Sequence, residues 1–164
     1  MRTIPLSALQ SMFALSAEEF PILLVTIARG VDIIRISSDP TERISEDPLA
    51  YGTISNGEPF IYFPFELTLP ADKAESVPRM RIRIENVSGE IGWWLRSSTT
   101  KPVVTVQIVS SGDLDTAIAS FPEFDLSSFS GGSMTIEGIL MLSNLEKEPF
   151  PAGTFNTIYF PGLF

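Results

Sequence analysis

The alternation of apolar and polar positions reads this chain mainly as strands. Residues 79–85 set Met80, Ile82 and Ile84 against Arg79, Arg81, Arg83 and Glu85, the period of a strand with one face in a core and the other in solvent or against a partner. Val104, Val106 and Ile108 against Thr105 and Gln107 repeat it, as do Met134, Ile136, Gly138, Leu140 and Leu142 against Thr135 and Glu137. Residues 20–28 are aliphatic and β-branched without alternation, as in a strand covered on both faces, and Arg29-Gly30 reads as the turn into a second strand over 31–37. Asn56-Gly57, the strongest short hairpin dipeptide, joins 51–55 to 58–69, where Pro59 and Pro64 favour an edge strand or a bulge.

Helical spacing occurs in two places. Leu6, Leu9, Met12 and Phe13 recur at three and four residues around Ser7, a good cap, and predict a short amphipathic helix over 7–15 within an N-terminal segment 1–18. Pro21 disfavours helix in the residue before it and ends that pattern. Residues 89–98 carry a second short helix around Ile91, Trp94 and Leu95. The charged, proline-punctuated residues 38–48 predict a surface loop, 70–78 another, and 113–133 a long, poorly periodic connection. With no internal repeat and no second boundary, the expectation is a single domain over 1–164. Its fold class is mainly β, an antiparallel β-sandwich or small barrel with a short N-terminal helix and one further short helix.

Composition narrows the function classes. A chain of 164 residues with 44% hydrophobic content is long and apolar enough to bury a sizeable core. Twenty carboxylates against 11 basic residues give a net charge of -9, which opposes binding to a phosphate backbone. The chain has neither cysteine nor histidine, which removes disulfides, thiol nucleophiles and the commonest metal ligand and general base. The best apolar run, 20–28, is half of what a bilayer-spanning helix needs. Residues 1–5 carry one positive charge and lead into an amphipathic stretch rather than a signal-peptide core. No membrane role is expected, and synthesis is expected in a cytoplasm.

The remaining chemistry rests on carboxylates and aromatics. Glu66, Glu85 and Glu137 are the candidates for a glycosidase pair; the plainer reading makes each the solvent-facing member of a strand. Asp113 with Asp115, and Asp39 with Glu42, offer oxygen ligands for calcium but lack the glycine and terminal glutamate of a full binding loop. Gly131-Gly132-Ser133 lacks the lysine of a phosphate cradle and reads as a turn. Trp93-Trp94 beside Arg96 offers a stacking platform for a base or sugar, or one indole for the core. No catalytic residue, cofactor site or metal site is therefore expected. The last segment, 148–164, concentrates Phe150, Phe155, Tyr159, Phe160, Leu163 and Phe164 and reads as an aromatic docking tail.

Several motifs in a fixed order carry a resemblance. They are Leu69-Pro70-Ala71-Asp72, the strand from Arg81 to Val87, the short segment at Ile91, the strand from Val103 to Val109, then Glu148-Pro149-Phe150-Pro151 and Phe160-Pro161-Gly162-Leu163-Phe164. From about Ile22 to the terminus the chain resembles a family of minor tail proteins of long-tailed bacteriophages and prophages. The family has no defined function and is similar to distal-tail and baseplate-hub proteins. The resemblance implies a tail-tube-like fold and a virion structural role: a ring of identical subunits, threefold or sixfold, linking the tail tube to the tip. It also implies neighbouring tail proteins as partners, DNA only as passing cargo, and no enzymatic activity. The alternatives are a carboxylate-dependent cell-wall hydrolase domain and a carbohydrate-binding β module using Trp93 or Trp94. Arg79, Arg81, Arg83, Trp93, Trp94 and the six aromatic and aliphatic residues of the tail are the candidate interface.

Overall fold

The computed structural model describes residues 19–69, 79–85, 89–97, 100–132 and 134–142. The expected N-terminal helix, the 70–78 loop, Asp72 and the docking tail lie outside them. The described residues form ten strands and one helix. In chain order these are β1 (Pro21–Arg29), β2 (Asp32–Ser37), β3 (Glu42–Glu46), β4 (Leu49–Ser55), β5 (Glu58–Tyr62), β6 (Phe65–Thr68), β7 (Arg79–Glu85), α1 (Glu90–Arg96), β8 (Val103–Ser110), β9 (Asp113–Gly131) and β10 (Thr135–Leu142). The fold is mainly β with one short helix, as the periodicity predicts.

The strands make a single sheet in the order β3-β4-β5-β2-β1-β8-β9-β10-β7-β6. Every pairing is antiparallel except β2 with β5, where Ile36 and Ser37 lie opposite Ile61 and Tyr62 in parallel. The sheet closes on itself through Phe63-Pro64, the two residues between β5 and β6. The Phe63 N–H donates to Ser37 O on β2 at 3.2 Å, and the Glu85 N–H on β7 donates to Pro64 O at 3.0 Å. One bent strand thus bridges the two flanks, and a small barrel results with β3-β4 as an outer flap. Pro64, which brings no N–H to a ladder, stands at the bend.

The interior holds Val25, Ile27, Ile36, Met80, Ile82, Ile84, Val104, Val106, Phe121, Phe124, Leu126, Ile136 and Leu140, with Ile91 and Leu95 of α1. Strand β7 follows the expected alternation residue by residue, and β10 buries Ile136, Gly138 and Leu140. Met134 and Leu142, at the two ends of the same pattern, stay exposed. Strand β1 is buried on both faces, as its continuous apolar run requires. Its Val25 and Ile27 enter the barrel, while Ile22 and Leu24 join Phe60, Val109 and Leu114 in a second, outer cluster.

Two expected loops are strands. Residues 113–133 mostly form β9, a 19-residue strand that pairs with β8 over its first two thirds and with β10 over its last third. Register shifts against β8, and Glu123 at φ 59 beside Pro122, bend it around the barrel corner. Bulges of this kind erase the two-residue period from the sequence. Within 38–48, Glu42–Glu46 forms β3. It is a charged edge strand with one apolar residue, the half-buried Ile44, so its composition resembles a loop.

Candidate functional site

Helix α1 plugs one mouth of the barrel. Ile91 and Leu95, four residues apart, are buried against the core, as helical geometry places them on one face. Trp93 then points outward and is 72% exposed. Trp94 is half-buried, and the Arg29 guanidinium lies over its ring, 4.1 Å from the centroid. Arg29 also donates from Nη1 to Trp94 O at 2.7 Å and from Nη2 to Ser97 Oγ at 3.2 Å. It therefore satisfies carbonyl and hydroxyl oxygens at the helix C-terminus with a cation where the helix dipole favours one. Arg96 does not stack on either indole; its Nη2 donates to Gly131 O at 3.0 Å, tying α1 to the end of β9. The expected Trp93-Trp94-Arg96 platform is altered: both tryptophans border one groove, but Trp94 is the more buried of the two and its stacking cation is Arg29 of β1.

Between α1, β2, β3 and β5 runs an open groove of about 800 Å³. Ile33, Ile44, Pro59, Ile61, Phe63 and Trp93 line most of it, with Arg35 and Glu90 among its polar residues. Ile33 and Ile61 remain 45% and 43% exposed. Arg35 pairs with Glu58 at 3.1 Å on the rim, so its charge is already partnered. Open apolar grooves of this size on soluble proteins are the kind of surface at which partners or ligands bind. Sequence reading found Trp93 and Trp94 but missed the isoleucines, because Ile33, Ile44 and Ile61 come from three separate strands. The signal was present locally: Phe60-Ile61-Tyr62-Phe63 and Ile33-Ile34 break strict alternation and so must send apolar side chains outward as well as inward.

The arginine ladder faces outward from β7. Arg83 sits in register between Glu66 of β6 and Glu137 of β10, with Nε 3.9 Å from Glu137 Oε1. That charge is matched within the subunit. Arg81 lies opposite Ile139 and Thr68, and Arg79 opposite Met141. The three carboxylates weighed for hydrolysis share this outer wall. Glu66 and Glu85 border a shallow hollow of about 390 Å³ with Arg83, while Glu137 lies on its other side.

The acidic pairs weighed for calcium are occupied with the protein's own turns. Asp113 accepts from the N–H groups of Asp115 and Thr116 at 3.2 Å. The Thr116 hydroxyl, followed by the Asp115 N–H, holds its carboxyl below the ordinary aspartate range. Asp115 Oδ1 accepts from the Asn56 N–H at 2.6 Å and pins the β4-β5 turn onto the β8-β9 turn. Asp39 Oδ2 accepts from Thr41 at 3.3 Å, beside a buried hydroxyl pair, Ser37 and Thr53, at 2.8 Å. Among the described residues no three metal-ligating side chains converge, and no helix is long and apolar enough to cross a membrane. The six tail residues of the expected interface lie outside the described residues. In comparisons with known families and with curated proteins, the chain matches none.

Proposed function

We propose that this chain is a structural component of a bacteriophage tail tip or baseplate, assembling with copies of itself into a ring that links the tail tube to the distal hub. The carrying observation is the open apolar groove beside Trp93, lined by strands of the barrel and by α1. Its walls are strands of a closed barrel and a pinned helix, so it is shaped before any partner arrives, which lowers the cost of ordering on association. The order of motifs that resembles phage minor tail proteins motivates the same reading. A net charge of -9 suits a ring around passing DNA, since acidic walls do not grip phosphate. The charges of β3, Glu42, Arg43 and Glu46, discourage endless sheet-to-sheet growth at the flap edge.

Sedimentation velocity over a concentration series tests this. The full chain is expected to form an oligomer of fixed mass. Trp93→Ala should weaken its association roughly 30-fold, the effect of losing a hot-spot aromatic worth ~2 kcal/mol, while leaving the unfolding midpoint nearly unchanged, as for an exposed side chain. A monomer at every concentration speaks against the reading. A carbohydrate module is the second reading, favoured by the exposed Trp93 indole, since sugars stack on such faces. It predicts a monomer whose tryptophan fluorescence shifts on titration with cell-wall polysaccharide.

A further inference from the structure

We infer that the groove between α1, β2, β3 and β5 is filled by residues 149–164 of a neighbouring copy. The inference rests on the assembly reading above and names the contact that would close the ring. Residues 149–164 contain no charged side chain, in a chain where 19% of residues are charged. They hold Phe150, Phe155, Ile158, Tyr159, Phe160, Leu163 and Phe164. A groove of about 800 Å³ accommodates about three or four side chains of that size. The residues before this segment, Glu146, Lys147 and Glu148, form a polar spacer.

Register decides between the same copy and a neighbour. Thr135 lies opposite Glu85 and Met141 opposite Arg79, and Glu85 leads towards α1. Strand β10 therefore starts at the groove end of the barrel and finishes at Leu142, about 24 Å further along the strand. The chain leaves the described fold at the mouth opposite its own groove. The direct way back crosses the outer face of β7 and β10, where Arg79, Arg81, Arg83 and Glu137 alternate with Ile139 and Met141, a less apolar surface than the groove of a neighbour. Running onward, it meets another subunit. Such a head-to-tail contact joins two different surfaces and closes into a ring when its rotation allows.

The absence of cysteine makes the test clean. Full-length Ile61→Cys and full-length Leu163→Cys are purified separately, mixed and oxidised with oxidised glutathione, with Glu123→Cys replacing Ile61→Cys as the control. The expected result is a covalent heterodimer at least tenfold more abundant than in the control mixture, with the same samples sedimenting as oligomers. A chain carrying both substitutions that instead links within itself, at monomer mass, overturns the neighbour as occupant. Oligomers without a link above control overturn the groove as the docking site while leaving ring assembly standing. Monomers without a link overturn both.

Discussion

At the scale of single residues, Arg29 carries more of the site than any charge the sequence made conspicuous. Its side chain is 11% exposed and lies 3.6 Å from Asp32 while covering Trp94 and capping α1. Three roles meet in one guanidinium: a planar cation for the ring, a donor fork for the helix end, and an ion-pair partner. An ammonium reproduces only part of that, because it lacks the plane and the fork. Arg29→Ala should therefore destabilise the fold by about 2 kcal/mol, combining a half-buried cation–π contact with a charged hydrogen bond. Arg29→Lys should recover less than half of it. Urea denaturation midpoints check this, and a Lys variant as stable as the parent would contradict the geometric part. Arg79, Arg81 and Arg83, conspicuous as a run, have less to do within the subunit: of the three, only Arg83 has a carboxylate partner among the described residues, and an exposed pair contributes little.

At the scale of elements, the legible parts were those that keep one period from end to end. Strand β7, the β1-β2 hairpin, the Asn56-Gly57 turn with φ 51 and 77 and α1 stand where residue spacing puts them, as does β8 as far as Val106, beyond which a register shift buries Val109 in place of the expected Ile108. Strand β9 was illegible because bulges move its buried residues to irregular spacing, Phe121, Phe124 and Leu126. Strand β3 was illegible because an edge strand with a single apolar residue, Ile44, carries no pattern. The barrel closure was half legible: Pro59 and Pro64 signalled an interrupted arm, but that the interruption joins β2 to β7 depends on hydrogen bonds 26 and 21 positions apart. The flap is fixed by close approach rather than by side chains. A Cβ on Gly52 would collide with the Phe60 carbonyl and meet Ile44 at 2.6 Å. Gly52→Ala should thus cost at least about 2 kcal/mol, as overpacking against backbone does. A thermal unfolding scan that shows no loss would mean β4 and β5 are not held this tightly.

At the scale of the whole molecule, the barrel separates two kinds of surface. Its outer wall along β7 carries a ladder of charges, while the groove beside α1 is apolar and open. The sequence disclosed the first as an arginine ladder and the aromatic half of the second as Trp93-Trp94. The aliphatic half appeared only once β2, β3 and β5 were brought together around the helix. We infer assembly from the open apolar groove among the described residues and from the uncharged aromatic composition of residues 149–164. The most direct measurement is electron microscopy of the purified full-length chain at high concentration. The account predicts annular particles of one rotational symmetry; a uniform population of single 18.0 kDa subunits would contradict it.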